Sequence, residues 1–163
     1  MRDQKLLFIV QAAAIAAIYV VLLLVFAPIS FGEVQIRFAE ALTVLPYFTP
    51  AAIPGLFVGC LLGNFLGGAI LPDIIFGSLT TLVAAFVSYR LRKRKYLVVL
   101  PPIIGNALVM PFVLYYGYGT NLPIPFMMLT VAAGEIISCG VIGTVILLAL
   151  DRYKNTIFRS AAV

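Results

Sequence analysis

The chain has no histidine, two cysteines and little charge: only 10% of its 163 residues are Asp, Glu, Lys or Arg. Without histidine, imidazole zinc sites, histidine-ligated haem and serine–histidine triads lack a ligand or base. Cys60 and Cys139 lie far apart inside apolar runs, which argues against a structural disulfide and against a cysteine-rich metal centre. No Gly-x-x-x-x-Gly-Lys-Ser loop occurs, so the chain carries no P-loop with which to hydrolyse ATP. The scarcity of charge has the widest consequence. Soluble domains are about 25% charged and about 45–50% apolar. Here 63% of residues are hydrophobic and the mean hydropathy is +1.14. Such a surface would aggregate in water, and lipid is the expected solvent. The net charge of +5 does not indicate nucleic acid, because the basic residues sit at the chain ends and in one run, with no basic face interleaved with aromatics.

A helix needs about 20 apolar residues to cross the hydrocarbon core. Six runs, one of them short, are separated by charge, Pro or Gly. They cover 5–27, ended by Pro28; 34–47, starting at Val34 or Ile36 and closed by Pro46 and Pro50; 51–70; 74–89, with Asp73 as the expected N-cap; 97–116; and 125–150. The first run exceeds the ~7–15 residues of a signal-peptide core and is read as retained. The expected fold class is all-α integral membrane: a compact bundle of six transmembrane helices forming one transmembrane domain over residues 1–163. Arg2 and Lys5, the run Arg90, Arg92, Lys93, Arg94 and Lys95, and Arg152, Lys154 and Arg159 then share one face. The positive-inside rule makes that face cytoplasmic, which puts the protein in the cell membrane with both termini in the cytoplasm. Arg37 is the exception.

Ionisable groups inside hydrocarbon are costly and mark partners or function. Glu135 lies well inside the last run, with Ser138 and Cys139 at i+3 and i+4 on its face. Asn106 lies well inside the preceding run. Each is about ten residues from the outer end, and at about 1.5 Å per residue both are ~15 Å deep, so antiparallel neighbours bring them to the same level. Arg37 and Glu40 stand at the outer mouth of the short second run, and Tyr115, Tyr116 and Tyr118 border the uncharged loop 117–125. Structural readings stand beside these: a protonated Glu135 or an ion pair with Arg37, an interhelical bond from Asn106, a solvated Arg37–Glu40 pair, an interfacial tyrosine belt. Asn64 reads as packing glue. Gly55, Gly59, Gly63 and Gly67 form an every-fourth-residue ladder for close helix approach. Ala12, Ala13, Ala16 and Ala17 make two overlapping Ala-x-x-x-Ala pairs, suited to packing within the bundle or to docking another membrane subunit.

The stretch Phe31-Gly32-Glu33-Val34-Gln35-Ile36-Arg37-Phe38-Ala39-Glu40-Ala41-Leu42-Thr43-Val44-Leu45-Pro46, followed by Gly63-Asn64-Phe65-Leu66-Gly67-Gly68 and Asp73-Ile74-Ile75-Phe76-Gly77-Ser78-Leu79, resembles the queuosine-precursor transporter (QueT) family. Its members are substrate-binding S components of energy-coupling factor (ECF) transporters. The resemblance runs from about residue 5 to 155. It implies a six-helix S-component fold that captures a 7-deazaguanine such as preQ1, preQ0 or queuine at the outer face. It also implies as partners a transmembrane coupling protein and two cytoplasmic ATPase subunits, with the Ala12/Ala16 and Ala13/Ala17 pairs as the docking surface. The chemistry fits: adjacent N–H donors of a deazaguanine suit a carboxylate such as Glu135, its carbonyl edge suits Asn106 or Arg37, its ring suits Tyr115 or Tyr116, and an aminomethyl cation suits Glu40 or Glu33. The expected substrate site is thus Glu135, Asn106, Arg37, Glu40, Tyr115 and Tyr116, with no catalytic residues, metal or cofactor. The alternatives are an S component for another vitamin-like solute or a metal, the metal disfavoured by the missing histidines, and a membrane enzyme or assembly factor, for which no nucleophile and base appear at a defined spacing.

Overall fold

The computed structural model describes residues 2–30 and 37–157, and the regular structure among them is entirely helical. The expected start of the second span at 34–36, Glu33 and Arg159 lie outside the described residues. Helix α1 is Arg2–Val25, and one further turn, Ala27–Ser30, contains Pro28. A 3₁₀ helix, Phe38–Tyr47, takes the place of the short second run. Helix α2 is Ala52–Leu66 and α3 is Leu71–Arg90. The continuous helix α4, Lys95–Gly117, opens with a 3₁₀ stretch, Lys95–Val99, and ends in a π turn, Val113–Gly117. Helix α5 joins Ile124–Glu135, a π stretch Ile136–Ile142 and Gly143–Ile157.

Four of these helices are long and apolar enough to cross a membrane: Asp3–Val25, Leu71–Arg90, Lys95–Gly117 and Ile124–Lys154. Helix α2 is apolar but shorter, and the 3₁₀ helix has only ten residues. The protein is therefore all-helical and multi-pass, while the expectation of six crossing helices is met by length in four. The reading of Asp73 as an N-cap is corrected. Helix α3 starts at Leu71, its cap is Ile70, and no side chain caps it. Pro72, in the first turn, needs no N–H partner there, so the helix begins before Asp73 and leaves that carboxylate for tertiary contacts.

Helices consecutive in the chain are neighbours in space: α1 packs on α2, α2 on α3, α3 on α4 and α4 on α5. The 3₁₀ helix touches α1, α2, α3 and α5, and all of its residues from Ala39 to Pro46 are buried. A short element with a buried surface on every side is the centre of the bundle, not a rim. Its apolar side joins a core with Ile15, Tyr19, Leu23, Ala52, Leu56 and Cys60. Between α4 and α5, Met110, Val113, Leu114, Met127 and Val131 form a second core.

The glycine ladder explains how closely α1 and α2 approach. A Cβ on Gly55 would lie 2.7 Å from the Ala12 carbonyl oxygen, and one on Gly59 would lie 2.8 Å from Tyr19 Cβ and 3.1 Å from Ala16 Cα. Gly63 tolerates ordinary contact with Leu23 at 3.5 Å. This packing divides the four alanines. Ala12 and Ala16 face α2 with Ala16 buried, whereas Ala13 and Ala17 are exposed on the outside of the bundle. A bond from Lys95 Nζ to Asp151 Oδ2 at 2.6 Å ties the start of α4 to the end of α5.

Candidate functional site

The 3₁₀ helix carries Glu40 into the middle of the bundle, where it is 1% exposed. Its Oε1 accepts a 2.5 Å bond from the Tyr19 hydroxyl of α1, and its Oε2 has no hydrogen-bond partner among the described residues. From the opposite side α5 presents Glu135, 4% exposed. Its Oε1 accepts from Asn106 Nδ2 of α4 at 2.9 Å, and its Oε2 accepts from Cys139 Sγ at 3.1 Å. Cys139 also reaches the Glu40 carbonyl at 3.3 Å and Thr43 Oγ1 at 3.4 Å. These contacts join α1, the 3₁₀ helix, α4 and α5 through one polar centre. The π stretch begins immediately after Glu135 and contains Ser138 and Cys139; such wide turns recur at functional sites.

Glu40, Glu135 and Cys139 each offer one atom to a common point, all within 4.8 Å of one another. Two carboxylates this close repel strongly in a medium of low dielectric. The centre therefore favours a guest that brings N–H donors or positive charge. Cation coordination has the geometry but a mixed donor set, two hard oxygens with one soft sulfur and no imidazole, and Glu135 and Cys139 already bond to each other. Ser138 Oγ and Asn64 Oδ1 are further buried acceptors without a partner among the described residues. Asn64 Nδ2 and Thr81 Oγ1 both point to Cys60 Sγ, at 3.6 and 3.5 Å.

Arg37 is 3% exposed and faces Asp73, with Nη2 at 3.3 Å from Oδ2 and 3.4 Å from Oδ1. The Tyr118 hydroxyl also donates to Asp73 Oδ2, at 2.9 Å. Burial, and after it the adjacent Asp73 carboxylate, pushes the Tyr118 hydroxyl up to about 12. Of the expected residues, Glu135, Asn106 and Glu40 converge. Arg37 faces Asp73 instead, and among the described residues no ion pair joins it to Glu135 or to Glu40. Tyr115 and Tyr116 do not come to the centre: they are 42% and 76% exposed and stack edge to face with each other. Tyr19 and Thr43 have no assigned role in the sequence, Asp73 is expected there only as an N-cap, and Tyr118 only at the border of the outer loop. A tyrosine alone in an apolar run was the available signal for Tyr19.

Fold and site together define a multi-pass helical membrane protein built around a buried centre of carboxylate, amide, phenol and thiol groups. A family model described as QueT transporter matches residues 9–152, and the chain belongs to the QueT transporter family. It is similar to the queuosine precursor transporter QueT of Lactococcus lactis subsp. cremoris (strain MG1363), with 36% identity over 85 residues, 51% of this chain and 50% of that protein. The match thus spans about half the length of this curated relative. No solved structure matches the chain significantly.

Proposed function

We propose that the chain is the substrate-binding S subunit of an ECF-type transporter, capturing a 7-deazaguanine queuosine precursor at the outer face for ATP-driven uptake. The observation that carries this reading is the buried Glu135 carboxylate, held by Asn106 at 2.9 Å beside Glu40. The pyrimidinone edge of a deazaguanine has two adjacent N–H donors. A carboxylate accepts both in a fork that charge assistance strengthens. Cys139 and Asn106, which now satisfy Glu135, exchange their bonds with the guest, and Asn106 Nδ2 turns to its carbonyl. Glu40 Oε2, without a partner among the described residues, takes a further donor, including the ammonium of an aminomethyl form. The relative's name supports the substrate class.

Transport then needs partners. The chain has no P-loop, so the energy comes from two cytoplasmic ATPase subunits through a transmembrane coupling protein. In this reading the chain is a single domain of six membrane-embedded helices in the cell membrane, with both termini and the 90–95 basic run in the cytoplasm. Ala13 and Ala17, exposed on α1, form the docking surface, while Ala12 and Ala16 support it from the α2 side. The test is mass spectrometry of small molecules retained by the purified chain, together with copurification of the coupling module. A bound 7-deazaguanine with ATPase subunits in the eluate is expected. Retention of an unrelated solute, or catalytic turnover of the deazaguanine, would overturn the proposal.

A further inference from the structure

The outside of the bundle carries a second feature, unconnected with the polar centre. Between α3 and α4 runs an apolar groove of about 590 Å³ whose floor is made of small residues, Thr80, Ala84 and Gly105. Gly105 keeps the floor low: a Cβ there would stand 3.0 Å from Thr80 Cγ2. Val83 and Ile104, both more than half exposed, form its rims. The groove ends at Leu91, inside the most basic segment of the chain.

Arg90, Arg92, Lys93 and Arg94 are all exposed at that end. Arg90 lies over the Phe86 ring at 5.0 Å and Arg92 over Tyr89 at 4.4 Å, which steadies both guanidiniums at the foot of the groove. The sequence has no Asp or Glu between residues 74 and 134. Asp151, a carboxylate near this end, is already hydrogen-bonded to Lys95 and ion-paired with Lys154. Among the described residues no ion pair neutralises Arg90, Arg92, Lys93 or Arg94, so the apolar channel meets positive charge, and clusters of Lys and Arg beside a membrane helix attract acidic lipid.

We propose that the α3–α4 groove and the 90–94 basic turn together form a binding site for one acidic phospholipid, with an acyl chain in the groove and the phosphodiester at the turn. At about 1.5 Å per residue, Phe76 to Leu91 spans ~22 Å, enough for a chain that crosses one leaflet of a core about 30 Å thick.

Native mass spectrometry of the full chain tests the site with two probes of equal chain length, dioleoyl phosphatidylglycerol and dioleoyl phosphatidylcholine. One phosphatidylglycerol should be retained at about tenfold lower concentration than phosphatidylcholine. Arg92→Gln, Lys93→Gln and Arg94→Gln combined should erase the preference, and Val83→Trp, which fills the groove from its exposed rim, should reduce retention of both lipids. Ile104→Trp serves the same purpose on the opposite rim if the Val83 variant does not fold. Equal retention of the two lipids, a preference that survives the triple substitution, or retention untouched by both tryptophans overturns the site. Loss of coupling-module copurification with lipid preference intact in the triple variant would assign the turn to a protein partner and also overturn it.

Discussion

Arg37 and Asp73 show what a buried charge demands of its surroundings. The two are 36 positions apart, and α3 brings Asp73 within 3.3 Å of a guanidinium that is almost wholly buried. Removing one member of such a pair is costly because the other charge stays behind in low dielectric. Asp73→Asn should therefore destabilise the protein by about 3 kcal/mol, read as a lower melting temperature in detergent; an unchanged melting temperature would mean that Arg37 does not depend on this carboxylate. Tyr118 offers a second test. Its hydroxyl is raised to about 12 from about 10 in an unfolded chain. The folded state thus favours the protonated phenol, and the stability it contributes is complete below pH ~10 and lost as pH rises through ~12. Between those values the parent should lose melting temperature more steeply than Tyr118→Phe, and parallel curves would show that the Asp73 contact has no such linkage. At this scale the sequence was readable where geometry is regular. The constant rise of a helix puts Glu135 and Asn106 at one depth, and they meet at 2.9 Å. It was silent on Arg37–Asp73, because that pairing depends on where α3 starts and on the path of the chain before it.

The elements add a constraint that single residues do not reveal. The every-fourth-glycine pattern pointed to close packing, and α1 is the helix that fills it, with Ala16 and Tyr19 against Gly59. Gly59→Leu must push those backbones apart, and overpacking of this kind costs about 1–3 kcal/mol. Because Tyr19 also holds Glu40, the variant should lose ligand affinity along with thermal stability; normal affinity at reduced stability would separate the helix contact from the site. The same packing distinguishes two tryptophan substitutions on α1. Ala16→Trp enters the α1–α2 contact and should lower stability, whereas Ala17→Trp, on the exposed side, should leave folding and ligand binding intact and block copurification with the coupling protein. Uptake at the parental rate by Ala17→Trp would remove the docking role from that face. The 3₁₀ helix was the least legible element. Residues 34–47 read as a short crossing span with Arg37 and Glu40 at its outer mouth, yet contacts with α1, α2, α3 and α5 bury the 3₁₀ helix, Glu40 included, in the centre, where neither its length nor its composition placed it.

For the whole molecule, composition alone made lipid the solvent, and four long apolar helices bear out a multi-pass protein. The membrane's polarity follows from charge. A cysteine introduced at Arg94 should react with an impermeant thiol reagent only from the cytoplasmic side, and one at Thr120 only from outside; reversed labelling would turn the proposed orientation over. The central claim is that this bundle is organised to present a buried carboxylate to a flat, donor-rich heterocycle. Its most direct test is calorimetric titration of a 7-deazaguanine into the purified chain and into Glu135→Gln, which keeps the shape of the side chain but removes its charge. A charge-assisted hydrogen bond is worth roughly 1.5–3 kcal/mol, so the variant should bind roughly 10- to 150-fold more weakly at an unchanged melting temperature of the ligand-free protein. Binding within threefold of the parent would contradict the account.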